Sequence, residues 1–167
     1  MIVMSKMIVA FYKSNTGNIL DKSIDMWSSF IAKLLYRIRD NIDGFSHVEL
    51  IFSNGLSFSS SPRDGGTRFK WIEYDINQWE FLSIDSPYSE EEIYNAAVVL
   101  DDLEYDYLGL FLHEFLPLNI DNQKRWWCSE IICYLLGIKN YKISPNYLYY
   151  LSINKELKYK KVEYESN

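Results

Sequence analysis

The sequence predicts an α+β fold: one antiparallel sheet with helices before it, after it and packed against it. Three observations predict this. Short apolar or alternating runs follow one another at close spacing between Phe45 and Asp85, and strands joined so closely pair antiparallel. The pair Asn54-Gly55 lies between two of these runs, and it is the pair that a tight type I′ hairpin prefers. Segments with apolar residues at three- and four-residue spacing flank the block on both sides, the period of a helix with one buried face. The chain has 167 residues, enough for one domain over 1–167 with a sizeable core and too few for two.

The elements follow in order. Met7 to Tyr12 reads as a buried strand, and Lys13 to Asn18 as a turn cluster. From about Asp21 to Arg39, the residues Ile24, Trp27, Ile31, Leu34, Leu35 and Ile38 mark a helix. Phe45 to Phe52 is a strand, Ser53-Asn54-Gly55 its turn, and Leu56 to Ser61 the returning partner. The small hydroxyl residues of that partner leave room on one face. Pro62 to Gly66 is a loop, Thr67 to Tyr74 a third strand of the block and Trp79 to Asp85 a fourth. Ser89-Glu90-Glu91-Glu92 reads as a capping box with acids in the first helical turn, and that helix runs to about Leu103. A shorter apolar helix covers Leu108 to Phe115. Cys128 to Leu136 is a helix closed by Gly137. Ser144-Pro145 opens a last helix with proline at its first position, and Tyr159 to Tyr164 reads as a closing strand.

Composition excludes several function classes. Apolar residues make up 48% and aromatic residues 17% of the chain, so it has the means to build a core. The 14 tyrosines suit amphipathic edges and a binding groove. The net charge of −6 and the lack of a basic face argue against a nucleic-acid binder. No run approaches the ~18 apolar residues of a membrane span. The N-terminal stretch lacks the pattern of a signal peptide, so the expected location is the cytoplasm. No Walker, dinucleotide or zinc-hydrolase motif is present, and no cofactor or metal is expected. The two cysteines, Cys128 and Cys133, stand five apart on one helix, where they point to different faces and cannot bridge.

Cys128 is the candidate nucleophile. It opens a helix, where free N–H groups and the positive end of the dipole favour a thiolate and could later hold an oxyanion. A structural buried cysteine is the plain alternative, and it describes Cys133 better. Of the two histidines, His47 lies on a strand and is the candidate base; an exposed polar face is its alternative reading. His113, beside Glu114 in the Leu108 to Phe115 segment, reads as a helix-surface residue. A third, orienting group is expected at Ser59, across the strand pair, or at Glu49, two residues along the same strand and about 6–7 Å away at the backbone. Glu130 suits a helix start and could also brace Arg63 or Arg68. The loop Arg63-Asp64-Gly65-Gly66-Thr67-Arg68 reads as an ordinary turn, or as a place where Arg63 or Arg68 meets a substrate carboxylate or phosphate.

Ser46-His47-Val48-Glu49-Leu50, Asn54-Gly55, Phe58-Ser59-Ser60, Tyr105-Asp106-Tyr107 and Trp127-Cys128-Ser129-Glu130 together resemble the circularly permuted papain-like amidases of the YaeF/YiiX type. In that group the histidine strand precedes the cysteine helix, as here. The resemblance implies a permuted papain-like fold, an antiparallel sheet packed against helices, with Cys128 as nucleophile and His47 as base. The family often carries a glutamate on the strand after the histidine strand, where this chain has Ser59 or Ser60. Short versions with an Arg-Asp-Gly-Gly loop look like ones carried by bacteriophages. Host cytoplasm or a virion is then the expected location, with a phage or host protein as partner. Arg63, Arg68, Tyr105 and Trp127 are the expected substrate-binding residues.

The function expected from these residues is hydrolysis of an amide bond in a peptide, an isopeptide or a cell-wall stem peptide. A related expectation is acyl transfer or thioester hydrolysis at the same site. A different class, a catalytically idle papain-like module with a structural or host-interaction role, is the alternative to both. The expected partner is an amide- or thioester-containing substrate, with no nucleic acid.

Overall fold

The computed structural model describes residues 4–13, 44–105, 125–139 and 141–159. The expected helices over 21–39 and 108–115, His113 within the second, and most of the closing strand after Tyr159 lie outside the described residues.

The fold is α+β. Five antiparallel strands form the body of one sheet, in the order β5-β1-β2-β3-β4. They are β1 (Ser5–Lys13), β2 (Phe45–Ile51), β3 (Ser57–Ser61), β4 (Gly66–Lys70) and β5 (Trp79–Ser86). Two short strands extend the sheet beyond β4. β6 (Glu104–Tyr105) runs antiparallel to β4, and β7 (Arg125–Trp126) runs parallel to β6. The described helices are α1 (Glu90–Val99), α2 (Cys128–Leu135) and α3 (Pro145–Ile153).

The strand block matches the sequence pattern closely, and its departures have local causes. The third strand of the block stops at Lys70 and does not run to Tyr74, because the residues beyond it leave the sheet and Trp71 is 68% exposed. The β2–β3 turn is also not type I′. Phe52 and Leu56 close a three-residue loop, and the N–H of Gly55 donates to the Phe52 carbonyl at 2.8 Å. Only Gly55, at φ 87°, is left-handed there, whereas type I′ needs positive φ at both central residues. The Asn54 side chain instead accepts from the Leu56 N–H at 2.9 Å. This local bond lets one glycine make the reversal.

The apolar core lies on one face of the sheet. Val9 and Phe11 of β1, Val48 and Leu50 of β2 and Phe58 of β3 join Ile131, Ile132, Leu135 and Leu136 in one fully buried cluster. Burying each such side chain contributes about 1.5–3 kcal/mol, so the apolar face of α2 is what binds that helix to the sheet. Gly137, at φ 67°, ends it as expected. α1 starts with the capping box: Ser89 accepts from the Glu92 N–H, and the Glu92 carboxylate accepts from the Ser89 N–H. α3 starts at Pro145, with Ser144 capping the Tyr147 N–H at 3.3 Å.

Three polar contacts fix where the start of α2 lies. The Ser60 hydroxyl on β3 donates to the Trp126 carbonyl at 2.6 Å. The Ser129 hydroxyl donates to the Ile143 carbonyl at 2.5 Å. The Glu130 carboxylate accepts from the Trp127 N–H at 3.4 Å, closing the helix's first turn. β7 hands the chain from the sheet edge into α2 within two residues, so Cys128 is held from both sides.

Removing the Ser60 hydroxyl takes a donor from a buried carbonyl, a loss of about 1–3 kcal/mol. Ser60→Ala is expected to lower the unfolding free energy by that amount, read as a lower urea midpoint at an unchanged slope. An unchanged midpoint would show that this tether does not hold the helix start.

Candidate active site

β2 changes register beside β1: Lys13 faces Phe45 and Tyr12 faces His47, so Ser46 is an extra residue in the strand. Such a bulge bends a strand and re-aims its side chains. Past the bulge, Val48 and Leu50 point into the apolar core, and His47 and Glu49 belong to the other face.

His47 joins two groups. Its Nε2 lies 2.7 Å from Oε1 of Glu49, and its imidazole lies near enough to the Cys128 side chain for the two to interact electrostatically. With Nε2 held by the carboxylate, Nδ1 is the nitrogen left for the sulfur. The His47 side chain is 20% exposed, while Cys128 is buried at the first position of α2. The ring of Trp79 stands edge-on to the imidazole at 6.3 Å between centroids.

Glu49 is 1% exposed, and both of its oxygens are engaged. The Arg68 guanidinium donates from Nη1 to Oε2 at 2.8 Å and from Nη2 to Oε1 at 2.5 Å. Its Nε donates to Asp64 Oδ2 at 2.7 Å, and Lys70 Nζ donates to the other oxygen of Asp64 at 2.8 Å. Thiol, imidazole, carboxylate, guanidinium, carboxylate and ammonium thus form one chain of contacts from the helix start to the surface.

The electrostatics follow from these neighbours. Burial disfavours the imidazolium of His47, but the Glu49 charge, the interaction with Cys128 and the hydrogen bond to Glu49 outweigh it, and its pKa is pushed up to about 10. Burial alone would raise the Glu49 carboxyl; the hydrogen bonds from Arg68 and the charge of His47 hold it below the usual carboxylate range. Asp64 is drawn down to about 2 against its partial burial by Lys70 and Arg68. Arg68 is held more firmly protonated, its own desolvation outweighed by Glu49 and Asp64. Burial pushes the Cys133 thiol well up, which suits a packed residue.

The expected site residues fall into three groups. Cys128, His47 and Glu49 come together, with Glu49 reaching the ring across the two-residue spacing. Ser59 does not orient the imidazole: its hydroxyl donates to the Val48 carbonyl at 2.6 Å. Arg68 does not stand free for a substrate, because Glu49 and Asp64 occupy its fork. Glu130 braces the Trp127 N–H. Trp127 is 2% exposed and forms the N-cap of α2. Arg63 lies in the turn after β3. Tyr105 pairs through its backbone in β6, and its side chain lies outside the described residues.

Two contributions went unseen in the sequence. The first is Arg68 as the partner of Glu49. The strand registers bring them together: Ser59 faces Arg68 across β3–β4, and the β2–β3 register sets Glu49 on the far side of Ser59. The second is Ser60 as the tether of Trp126, for which sequence offers no signal, since the partner is a backbone carbonyl 66 positions away.

Among the described residues, no group of three or more His, Cys, Asp or Glu could hold a metal ion. Also among them, no helix is long and apolar enough to cross a membrane. No family model matches the chain, and no curated protein or solved structure matches it.

The site makes stability depend on pH with a definite sign. The folded-state pKa of His47, about 10, lies above its ordinary 6.5. Its stabilising effect is complete below about pH 6.5 and is lost as pH rises toward 10. Glu49 is depressed below its ordinary 4.5, so its effect is present above that value and is lost as pH falls through the depressed one. Wild-type stability is therefore expected to decline between pH 7 and 8.5, by at most about 1.4 kcal/mol per unit for one proton. Urea titrations across this window in wild type and His47→Ala check this. The variant is expected to be flat there, below the range where Cys133, with an ordinary value of 9.0, adds its own loss. An equal slope in both proteins would place the titrating group elsewhere.

Proposed function

We propose that this chain is a cysteine-dependent hydrolase of an amide bond in a peptide, an isopeptide or a cell-wall stem peptide. Cys128 is its nucleophile, His47 its base and then its acid, and Glu49 the group that orients the imidazole. One observation carries the reading: a single imidazole lies between a thiol at a helix start and a buried carboxylate. That is the geometry of nucleophile, base and orienting group that thiol catalysis needs. The order of the chain, with the histidine strand ahead of the cysteine helix, and the packing of that helix against the sheet support the permuted papain-like reading of the fold.

In this mechanism the Sγ thiolate attacks the amide carbonyl carbon, and the C=O electron pair moves onto oxygen. The N–H groups at the start of α2 have no carbonyl partner within the helix and face the developing oxyanion. The C–N bond then breaks, and His47 gives its proton to the departing amine. Water attacks the thioester, His47 takes a proton from it, and the C–S bond breaks to release the carboxylic acid and restore the thiolate. Glu49 accepts from Nε2 throughout, which fixes the ring and stabilises its cation.

The test has two parts. Iodoacetamide alkylation of Cys128 is followed against pH by peptide mass mapping, which separates it from Cys133. His47→Ala is expected to slow alkylation at pH 7 at least about tenfold. With p-nitrophenyl acetate as probe, wild type is expected to release p-nitrophenol through a mass-detected acyl-Cys128. Release is expected to fall on the order of 100-fold in His47→Ala. Decay of the acyl-enzyme in water alone favours hydrolysis, and decay only on adding an amine or alcohol acceptor favours acyl transfer. Alkylation indifferent to His47, with no acyl-enzyme formed, would remove the enzyme reading and leave the idle module.

A further inference from the structure

We propose that Arg68 is a positioning residue for this site: anchored by Asp64, it keeps Glu49 a carboxylate aimed at Nε2 of His47. The inference rests on the functional reading above and goes one residue beyond the thiol, imidazole and carboxylate.

The argument starts from the position of Glu49. A carboxylate that is 1% exposed loses its hydration, and an ion so placed persists only with full pairing. His47 supplies one hydrogen bond to one oxygen. Arg68 supplies the rest, with two parallel N–H bonds that reach both oxygens. This fork fixes the plane of the carboxylate as well as its charge, and a lysine offers no such plane.

The reach of Arg68 is itself set by its surroundings. β2 and β4 lie on either side of β3, about 9–10 Å apart at the backbone. Arg68 faces Ser59 on β3, and it must pass over that residue to meet Glu49. Serine is small, and its hydroxyl is turned down onto the Val48 carbonyl. Asp64 holds Nε of Arg68 from the other side, and Lys70 balances Asp64. A guanidinium held at three nitrogens has one orientation.

The charged and titratable groups facing Glu49 are few among the described residues. His47 lies on its own strand and Arg68 on β4. Tyr74, in the segment after β4, hydrogen-bonds Ser57 at 2.8 Å and feels the Glu49 charge. Without Arg68, Glu49 would face only an imidazole and a phenol. It would then take up a proton more readily, and His47 would lose the anion that keeps it cationic beside Cys128.

The experiment is a double-mutant cycle read by the pH dependence of Cys128 alkylation with iodoacetamide in the full chain. The four proteins are wild type, Glu49→Gln, Arg68→Met and the double variant, with Arg68→Lys as the conservative replacement. Arg68→Met is expected to move the profile about one pH unit upward, a fall of about tenfold in rate near pH 6.5. In the Glu49→Gln background, the same change is expected to add nothing. Arg68→Lys is expected to lie between wild type and Arg68→Met, and as the milder change it carries the comparison if Arg68→Met fails to fold. A lowered melting temperature with an unmoved profile would make Arg68 a structural tie and overturn the inference, as would equal shifts in both Glu49 backgrounds. If wild-type Cys128 alkylates like a free thiol whether or not His47 is present, the functional reading itself has failed, and the inference with it.

Discussion

A carboxylate buried between two cations is the constraint on which the site depends. Glu49 is sealed in the sheet, and a charge so placed persists only with near-complete pairing. The pairing comes from two directions at once, His47 along its own strand and Arg68 from two strands away. Each partner therefore limits the other. β2 cannot slip against β4 without leaving the charge unpaired, and His47 cannot rotate without losing its acceptor. The register of three strands, the orientation of one ring and the charge of one carboxyl are a single condition.

The thiol is joined to this condition by different means. α2 is held to the sheet by its apolar face and by the Ser60 hydroxyl, and to the segment before α3 by the Ser129 hydroxyl. None of these contacts involves a charge. Apolar burial sets the distance of the helix from the sheet, and the two hydroxyls set its position along its axis. The site thus stands where an electrostatic framework within the sheet meets a hydrophobic framework between sheet and helix.

Much of this was legible in the sequence, and the limits have physical reasons. Alternation and turn residues place β2, β3 and β5 within one or two residues, because the period of two is imposed by the backbone itself. The helix at Cys128 is legible for the same kind of reason, since Ile131, Ile132, Leu135 and Leu136 keep a helical period. The turn at Asn54-Gly55 was legible as a turn but not in its type, which the Asn54 side chain decides by bonding Leu56. The choice between Ser59 and Glu49 stayed open, because strand spacing gives backbone distances and side chains close the remaining gap. Arg68 was legible as a strand-start cation and a candidate substrate contact, not as the partner of Glu49. Its partner depends on a register across three strands and on the small size of Ser59, and neither shows in a local window. Residues 14–43 and 106–124, His113 among them, fall outside the described residues.

The chain positions of the groups at the site carry a consequence for folding. Glu49 and Arg68 are 19 positions apart, and local hairpins can bring them together. The tether from Ser60 to the start of the cysteine helix spans 66 positions. Closing that larger loop has a greater entropic cost and comes slowly. During synthesis, imidazole, carboxylate and guanidinium emerge long before the sulfur. A nascent chain can therefore assemble the charged half of the site while holding no thiol to activate. Chemical reactivity then arises only once the cysteine helix docks on the sheet, which makes the exposed thiol itself a marker of incomplete folding.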